Sequence, residues 1–274
     1  MKTLGRMIFS LFLASLPIIE ECHSQETKQI GERFKGEEVT YEVGFWLFPS
    51  LGRGWARFDD LGGNKFLMTH EGQAQGLIGW VTHYRKEAHR AWMGTIAQET
   101  RFVPLRLEEE SIIGDWVRQK TTLYDYSAGK IFMKTKKEAE VKEETVDLPP
   151  GVYYENPITA FYNFRFGAYG KAEPGREFLI RTIPGKGKGV FRISVASEKE
   201  AALRRDSDPQ KKGKDLLVRI HLEQEFLGSP LGEIEVWFDK EMNPVSGMIR
   251  KVRFFGDIKG RILHLAYRSP EKVL

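Results

Sequence analysis

The sequence predicts a mainly β protein, in which a strongly curved antiparallel sheet, half-barrel-like, wraps around one central helix. Segments in which apolar and polar residues alternate recur along most of the chain, and short turns rich in Gly, Asn and Pro separate them. Such short links favour antiparallel connections. One helix is predicted near 156–167. Its apolar residues point in nearly every direction, so it must be buried almost all round. In a β-rich chain, a curved sheet is the natural cover.

Period-two alternation predicts the strands in order. In the first, Val39–Leu47, Tyr41 and Val43 alternate with Thr40 and Glu42. Further strands are predicted at Gly54–Asp59, Phe66–Ala74, Leu77–Glu87, Phe102–Ile113, Trp116–Tyr126, Lys130–Thr135, Glu177–Ile183, Val190–Ser197, Lys214–Phe226, Gly232–Asp239, Val245–Phe255 and Ile258–Tyr267. The polar residues 25–37 predict a loose lead, the charge run Lys136–Glu144 predicts a solvated hairpin or ragged strand end, and Arg204–Gly213 predicts a polar loop.

The helix has clear start signals. Asn156 can cap its amino end, and Pro157 suits the first helical position because its missing N–H costs nothing there. Its apolar positions are Ile158, Ala160, Phe161, Tyr162, Phe164 and Phe166. Only Thr159, Asn163 and Arg165 interrupt them.

The first residues predict a signal peptide, 1–24. Lys2 and Arg6 form a basic region before the apolar run from Met7 to Ile19, which is short for a membrane span. Cys22 and Ser24 then precede a cleavage site before Gln25. Lipidation of Cys22 is the alternative, and Glu21 before the cysteine disfavours it. We therefore expect an exported, periplasmic protein with a single β-rich domain over 25–274, soluble after cleavage and without its one cysteine.

Composition and motifs argue against several function classes. The net charge of +4 is modest and the basic residues are spread out, so we expect no nucleic-acid partner. No paired histidine motif is present, and His83 and His89 on one strand would lie about 20 Å apart. We therefore expect no metal and no cofactor. Gly185–Gly189 lacks the spacing of a phosphate loop and predicts a hairpin turn. No Gly-x-Ser-x-Gly motif is present; a Ser/His/Asp set that meets only in space stays open, and we expect no enzyme.

The remaining candidate is an apolar slot inside the curved sheet. Ile158, Phe161 and Phe164 on the helix are predicted to line it, facing Phe45, Trp46 and Trp80 from strands. Plain core packing of these side chains is the alternative. Arg165 on the buried helix must pair with a carboxylate, bond to carbonyl groups or reach solvent. A structural pair is the first interpretation, and a latch or head-group contact at the mouth of a cavity is the second.

Three blocks of the chain resemble an uncharacterised family of exported bacterial proteins, catalogued as domain of unknown function 3108. They are Gly36-Glu37 with Tyr41-Glu42-Val43 and Gly52-Arg53-Gly54, then Asn156–Arg165, and finally Val236–Asp239 with Asn243-Pro244-Val245 and Gly260-Arg261-Ile262. Asn156 replaces the usual Asp of the family, and Arg204–Gly213 resembles an insertion. The resemblance implies long hairpins around a central helix, similar to the half-barrel of periplasmic lipoprotein carriers of the LolA/LolB type. It implies no activity.

The sequence thus favours a non-enzymatic envelope protein that binds or carries a lipid or another apolar ligand in the concave face of the sheet. The alternative is a structural or interaction module that holds an envelope protein and no small ligand. Peripheral contact with a membrane is a further expectation, since the lysines of the glycine-rich turn and Lys211-Lys212 can attract anionic head groups.

Overall fold

The computed structural model describes residues 29–45, 48–183, 189–206, 213–221, 232–252 and 256–268. The helices of this part are α1 (Ile30–Phe34), α2 (Gly76–Val81), α3 (Pro157–Phe166) and α4 (Glu198–Asp206). The strands are β1 (Glu37–Phe45), β2 (Phe48–Gly62), β3 (Lys65–Ala74), β4 (Lys86–Ile96), β5 (Arg101–Ile113), β6 (Trp116–Asp125), β7 (Lys130–Lys137), β8 (Glu140–Asp147), β9 (Glu177–Arg181), β10 (Val190–Val195), β11 (Leu216–His221), β12 (Glu233–Phe238), β13 (Pro244–Val252) and β14 (Gly256–Tyr267). The predicted signal peptide 1–24, Trp46 and residues 184–188 lie outside the described residues.

One antiparallel sheet contains all fourteen described strands, in the order β8-β7-β6-β5-β4-β3-β2-β1-β14-β13-β12-β11-β10-β9. Two meanders, β1–β8 and β9–β14, are joined where β1 pairs with β14, from Glu37 opposite Tyr267 to Phe45 opposite Ile258. The first and last strands of the chain therefore lie at the centre of the sheet, and its middle strands lie at the edges. The prediction of a mainly β, antiparallel fold is confirmed.

The sheet is strongly curved, because one short helix contacts strands that are far apart in it. Tyr162 of α3 packs into a cluster with β2–β5, and Phe164 packs into another with β9–β12. Nine strand spacings separate β5 from β10 in the sheet order. In a flat sheet, spacings of about 4.8 Å would place these strands about 43 Å apart. A ten-residue helix is only about 15 Å long, so the sheet must fold round it.

The sheet is not closed by pairing between its edge strands β8 and β9. Instead, the segment between β8 and α3 forms hydrogen bonds near both edges of the sheet. The Leu148 N–H donates to the Gly129 carbonyl at 2.8 Å, and the Glu155 N–H donates to the Arg181 carbonyl at the end of β9, also at 2.8 Å. The described architecture is therefore an open half-barrel with the helix in its concavity, as predicted.

Two predictions about local structure are wrong. The strand predicted at Leu77–Glu87 is the helix α2 followed by a turn, and β4 begins only at Lys86. An apolar run this short fits either period, and the positive φ of Gly76, 60°, ends the strand before it. The loose lead predicted over 25–37 instead contains α1, whose Ile30 and Phe34 are 0% exposed. These two apolar residues at positions i and i+4 indicate a helix, but the polar composition of the segment favoured a loop.

The two charged segments differ in outcome. The predicted hairpin at Lys136–Glu144 is confirmed as the exposed β7–β8 turn. The polar loop predicted at Arg204–Gly213 begins as the last turn of α4, which covers the outer face of the sheet: Ala201 packs with Leu217 and Trp237. Residues 207–212 lie outside the described part.

Candidate functional site

The helix at the centre of the site has the termini that its sequence predicts. The Asn156 side chain accepts a hydrogen bond from the Thr159 N–H at 2.9 Å, and Pro157 occupies the first turn. Gly167 ends the helix in the left-handed conformation, with φ 87°, which glycine adopts without the cost of a Cβ. Local signals therefore suffice to place α3, and its neighbours decide how it is buried.

Asn163 fixes α3 to the first meander. Its side chain pairs with the backbone of Phe102 on β5, accepting from the N–H at 2.7 Å and donating to the carbonyl at 2.9 Å. It also donates to Glu155 at 3.0 Å. Because all these polar groups are buried and satisfied, the contact holds the helix in one register against the strand.

Arg165 fixes the other end of the helix. Its guanidinium donates to both carboxylate oxygens of Glu37, at 2.7 and 2.6 Å, and to the Met242 carbonyl at 2.9 Å. It also lies 4.8 Å from the centre of the Phe34 ring. Both charged side chains are 1% exposed. The structural pair predicted for Arg165 is confirmed; a latch at the mouth of a cavity is wrong, because burial keeps this side chain away from any opening.

The concavity is filled in part and leaves a cavity beside α3. Around Tyr162, aromatic rings close the space; Phe58 packs 5.0 Å from Tyr162 and 5.6 Å from Phe102, centre to centre. Between α3, β3–β5 and β10–β12, the side chains leave a cavity of about 500 Å³. Its lining is Met68, His70, His89, Leu107, Glu109, Pro157, Ile158, Phe161, Phe164, Phe191, Ile193, Val218, Ile220, Ile234 and Phe238. This volume lies within the roughly 300–1,000 Å³ typical of ligand pockets.

The polar groups of the lining all come from β3–β5, while α3 and β10–β12 contribute apolar side chains only. His70, His89 and Glu109 are direct neighbours across three strands. The Nδ1 atoms of the two histidines are 3.1 Å apart, and the Tyr41 hydroxyl bonds to Nε2 of His70. We call Tyr41, His70, His89 and Glu109 the polar row.

Tyr41 reaches the row because Gly54 opposite it has no side chain. A Cβ at Gly54 would overlap the Tyr41 hydroxyl, and at Gly72 it would lie 3.1 Å from the same oxygen. The Tyr41 and His70 rings are nearly parallel, 5° apart, with centres separated by 5.7 Å. The glycine that the sequence shows in Gly52-Arg53-Gly54 is therefore required by the packing of this tyrosine.

Burial keeps part of the polar row uncharged. Burial and, to a smaller extent, the nearby His89 lower the pKa of His70 to about 4, and Glu87 opposes both effects. Burial also raises the pKa of Tyr41 to about 12. At neutral pH both groups are neutral, and each can donate or accept a hydrogen bond.

The structure brings together only part of the predicted slot. Ile158, Phe161 and Phe164 line the cavity. The position predicted for Trp80 is wrong: it lies on α2, outside the cavity, and is 69% exposed. The Phe45 side chain and Trp46 lie outside the described part. The strands that line the cavity with the helix are β3–β5 and β10–β12. Their period-two patterns predict an apolar face, but not the element against which it packs.

The histidine contact was missed. The predicted strands include Leu77–Glu87 and none over 88–96, so His89 has no predicted partner; in the structure His83 lies in the turn after α2, and His89 lies on β4 opposite His70. Correct placement of the β3–β4 turn is the one signal that reveals the pair. Within the described ranges, no group of three or more His, Cys, Asp or Glu is arranged to hold a metal ion. No helix in those ranges has the length and apolar character that a membrane crossing requires.

Comparison with known proteins gives a family match and a remote structural likeness. The family model described as protein of unknown function (DUF3108) matches residues 40–262. No curated protein matches the chain. A crystal structure of a β-barrel-like protein of domain of unknown function DUF1849, from Brucella abortus, is 12% identical, with a TM-score of 0.49; the match covers 86% of this chain and 99% of that one.

Proposed function

This chain belongs to the DUF3108 family, and we propose that it is a non-enzymatic, exported protein of the cell envelope that binds or carries a lipid or another apolar ligand. The ligand lies in the cavity between α3, β3–β5 and β10–β12. The observation that carries this proposal is the uneven filling of the half-barrel. Aromatic rings pack tightly around Tyr162, whereas the space bounded by Ile158, Leu107 and Val218 keeps about 500 Å³ beside the helix.

The lining supports an apolar ligand. Ten of its fifteen side chains are aliphatic or aromatic groups on α3 and on β10–β12, and a chain of methylene groups placed there would gain about 25 cal/mol per Å² of buried apolar surface. The periplasmic location is proposed from the leader, with its basic residues Lys2 and Arg6 and the apolar run Met7 to Ile19.

Contact with a membrane surface belongs to the same proposal, and the described surface that favours it is the β3–β4 connection. Trp80 and Tyr84 are 69% and 51% exposed there, and the exposed Arg85 and Lys86 follow. Trp and Tyr favour the membrane interface, and cations favour anionic head groups. The lysines expected to attract head groups, Lys186, Lys188, Lys211 and Lys212, lie outside the described part.

The interaction module remains the second candidate function, favoured by the edge strand β8, which pairs with β7 alone in the described sheet. Its exposed charges, including Lys142, Glu143 and Glu144, oppose the addition of another strand. Crosslinking in the native cell distinguishes the two. A stable protein partner captured through β8, with no lipid recovered from the purified protein, would favour the module.

The proposed function is tested with a variant whose larger side chain fills the cavity. Ile220→Trp places a larger side chain in it, whereas Leu179→Trp, at a position 73% exposed on β9, is the matched control. We expect lipid in organic extracts of the gently purified wild type, and uptake of an uncharged apolar fluorophore, N-phenylnaphthylamine, that falls roughly tenfold in Ile220→Trp only. No recovered lipid and no uptake by the wild type would contradict the proposal.

A further inference from the structure

The lining of the cavity divides into an apolar part on α3 and β10–β12 and a part on β3–β5 that carries its polar groups. His70, His89 and Glu109 supply the polar groups, and every other lining side chain is apolar. A hydrocarbon alone would offer no hydrogen-bond partner to the His89 ring, at a cost in free energy. An amphiphile whose polar end reaches β4 and β5 would offer one.

The hydrogen bonds of the row end at the cavity. His70 uses both ring nitrogens, Nε2 with Tyr41 and Nδ1 with His89. One of the two facing Nδ1 atoms must carry the proton and the other must accept it. When Tyr41 donates to His70, His70 donates to His89, and the His89 Nε2 then carries a proton. The described residues provide this Nε2 with no hydrogen-bond partner, so it can donate to a ligand.

Charge restricts what the ligand can be. The described lining contains Glu109 and no Lys or Arg. The carboxylate of Glu109 is balanced by Lys120, 3.5 Å away. An anionic head group would lose its water, meet Glu109 and find no unpaired cation in the lining. An ester carbonyl or a hydroxyl group would pair with His89 without that cost.

We propose that His89 and Glu109 form a head-group subsite that selects an uncharged, hydrogen-bonding amphiphile, such as an acylglycerol or a fatty alcohol, over a fatty-acid anion. This inference rests on the proposed function and specifies its ligand class. His89 donates to the head group, and Glu109 excludes the anion.

The experiment compares two ligands with the same acyl chain, monoolein and oleate, at mildly alkaline pH where oleate is ionised. Each competes with N-phenylnaphthylamine, an uncharged fluorophore that requires only the apolar walls. We expect monoolein to displace the fluorophore at a concentration roughly tenfold or more below that of oleate. His89→Leu should bring this ratio towards one, and the exposed histidine variant His264→Leu should leave it as in the wild type.

Glu109→Gln keeps the shape of the side chain and removes the negative charge, so oleate should compete several-fold better, even if His89→Leu fails to fold. Oleate that competes as well as monoolein in the wild type, or a ratio that neither variant changes, would overturn the subsite while the apolar cavity keeps its proposed function. Failure of the fluorophore itself to bind the folded wild type would overturn both proposals.

Discussion

At the scale of single residues, the charges of Arg165 and Glu37 are tolerated inside the protein because they are paired and fully bonded. Arg165 and Glu37 are each 1% exposed and form two hydrogen bonds of 2.6 and 2.7 Å. Removing two ions from water costs several kcal/mol each, and only close geometry with further partners offsets this. The pair joins α3 to the start of β1, so its loss should affect the whole half-barrel.

We therefore predict that Arg165→Met lowers the free energy of unfolding by about 3–5 kcal/mol, because it leaves Glu37 buried without its cation. The matched control is Lys134→Met, which removes an ion pair with Glu143 whose side chains are 60% and 67% exposed. This change should cost less than about 1 kcal/mol. Urea unfolding measures both, and a loss in Arg165→Met no larger than in the control would refute the prediction.

The buried histidine of the polar row predicts a pH dependence. His70 has a folded-state pKa of about 4, below its ordinary value of 6.5. Above pH 6.5, both the folded and the unfolded chain hold it neutral. As the pH falls from 6.5 to about 4, the unfolded chain takes up a proton first, so the free energy of unfolding falls, by up to about 1.4 kcal/mol per pH unit.

The test is the slope of stability against pH in this window for the wild type and for His70→Gln. We expect a smaller slope in His70→Gln, whatever its absolute stability, because the neutral side chain takes up no proton. His264→Gln on the exposed surface of β14 is the control and should keep the wild-type slope. Equal slopes in all three proteins would show that His70 does not resist protonation.

At the scale of elements, α3 is apolar almost all round because neighbours cover it almost all round. Strands β2–β5 and β9–β12 cover two faces, and α1 covers part of a third. Phe34 of α1 packs edge-on against Tyr162, with ring centres 4.9 Å apart. A five-residue helix has little stability of its own, so α1 must be held by this packing.

Accordingly, Phe34→Ala should lower the free energy of unfolding by about 3–5 kcal/mol, the range for a large aromatic side chain removed from a core. Leu203→Ala on α4 removes an apolar side chain that is 65% exposed, and should change stability by less than about 0.5 kcal/mol. Chemical unfolding of the two variants distinguishes a packed α1 from the loose lead that polar composition predicts. A loss below about 1 kcal/mol for Phe34→Ala would favour the loose lead.

At the scale of the whole molecule, a strand from the end of the chain lies inside the sheet, and a strand from the middle of the chain lies at its edge. β14, near the end of the chain, pairs on both sides, whereas β8, near the middle, lies at an edge. Lys259 on β14 is opposite both Gly44 and Met248, and Lys142 on β8 is opposite Thr135. Interior strands tolerate proline poorly because it donates no ladder hydrogen bond.

This order predicts that Lys259→Pro destabilises the protein more than a proline on β8. Successive N–H groups point to opposite sides of a strand, so Val141→Pro and Lys142→Pro are made separately, and one of them removes an N–H that faces away from β7. The more stable of the two β8 variants should have a free energy of unfolding at least about 1 kcal/mol higher than that of Lys259→Pro. Thermal and urea unfolding measure the difference, and equal losses in all three variants would contradict the sheet order.

How much of the structure can be predicted from the sequence depends on how far along the chain the interactions that determine each feature act. Alternation along each strand and the cap formed by Asn156 and Pro157 act over a few residues, so the antiparallel class and the bounds of α3 could be predicted to within a residue or two. The short apolar run at Gly76–Val81 could not, because its length fits either period. With a strand predicted at Leu77–Glu87 and none over 88–96, the contact between His70 and His89 could not be predicted.

The sequence alone therefore determined that this chain is an antiparallel β protein around a buried apolar helix, because periodicity and capping are local properties. Only the tertiary structure decided what the concavity holds. The partner of Arg165 lies 128 residues away in the chain, and the polar row depends on the register of four strands. The cavity is the space left when side chains from β3–β5, β10–β12 and α3 meet, and such a remainder is a property of three-dimensional packing that no local pattern encodes.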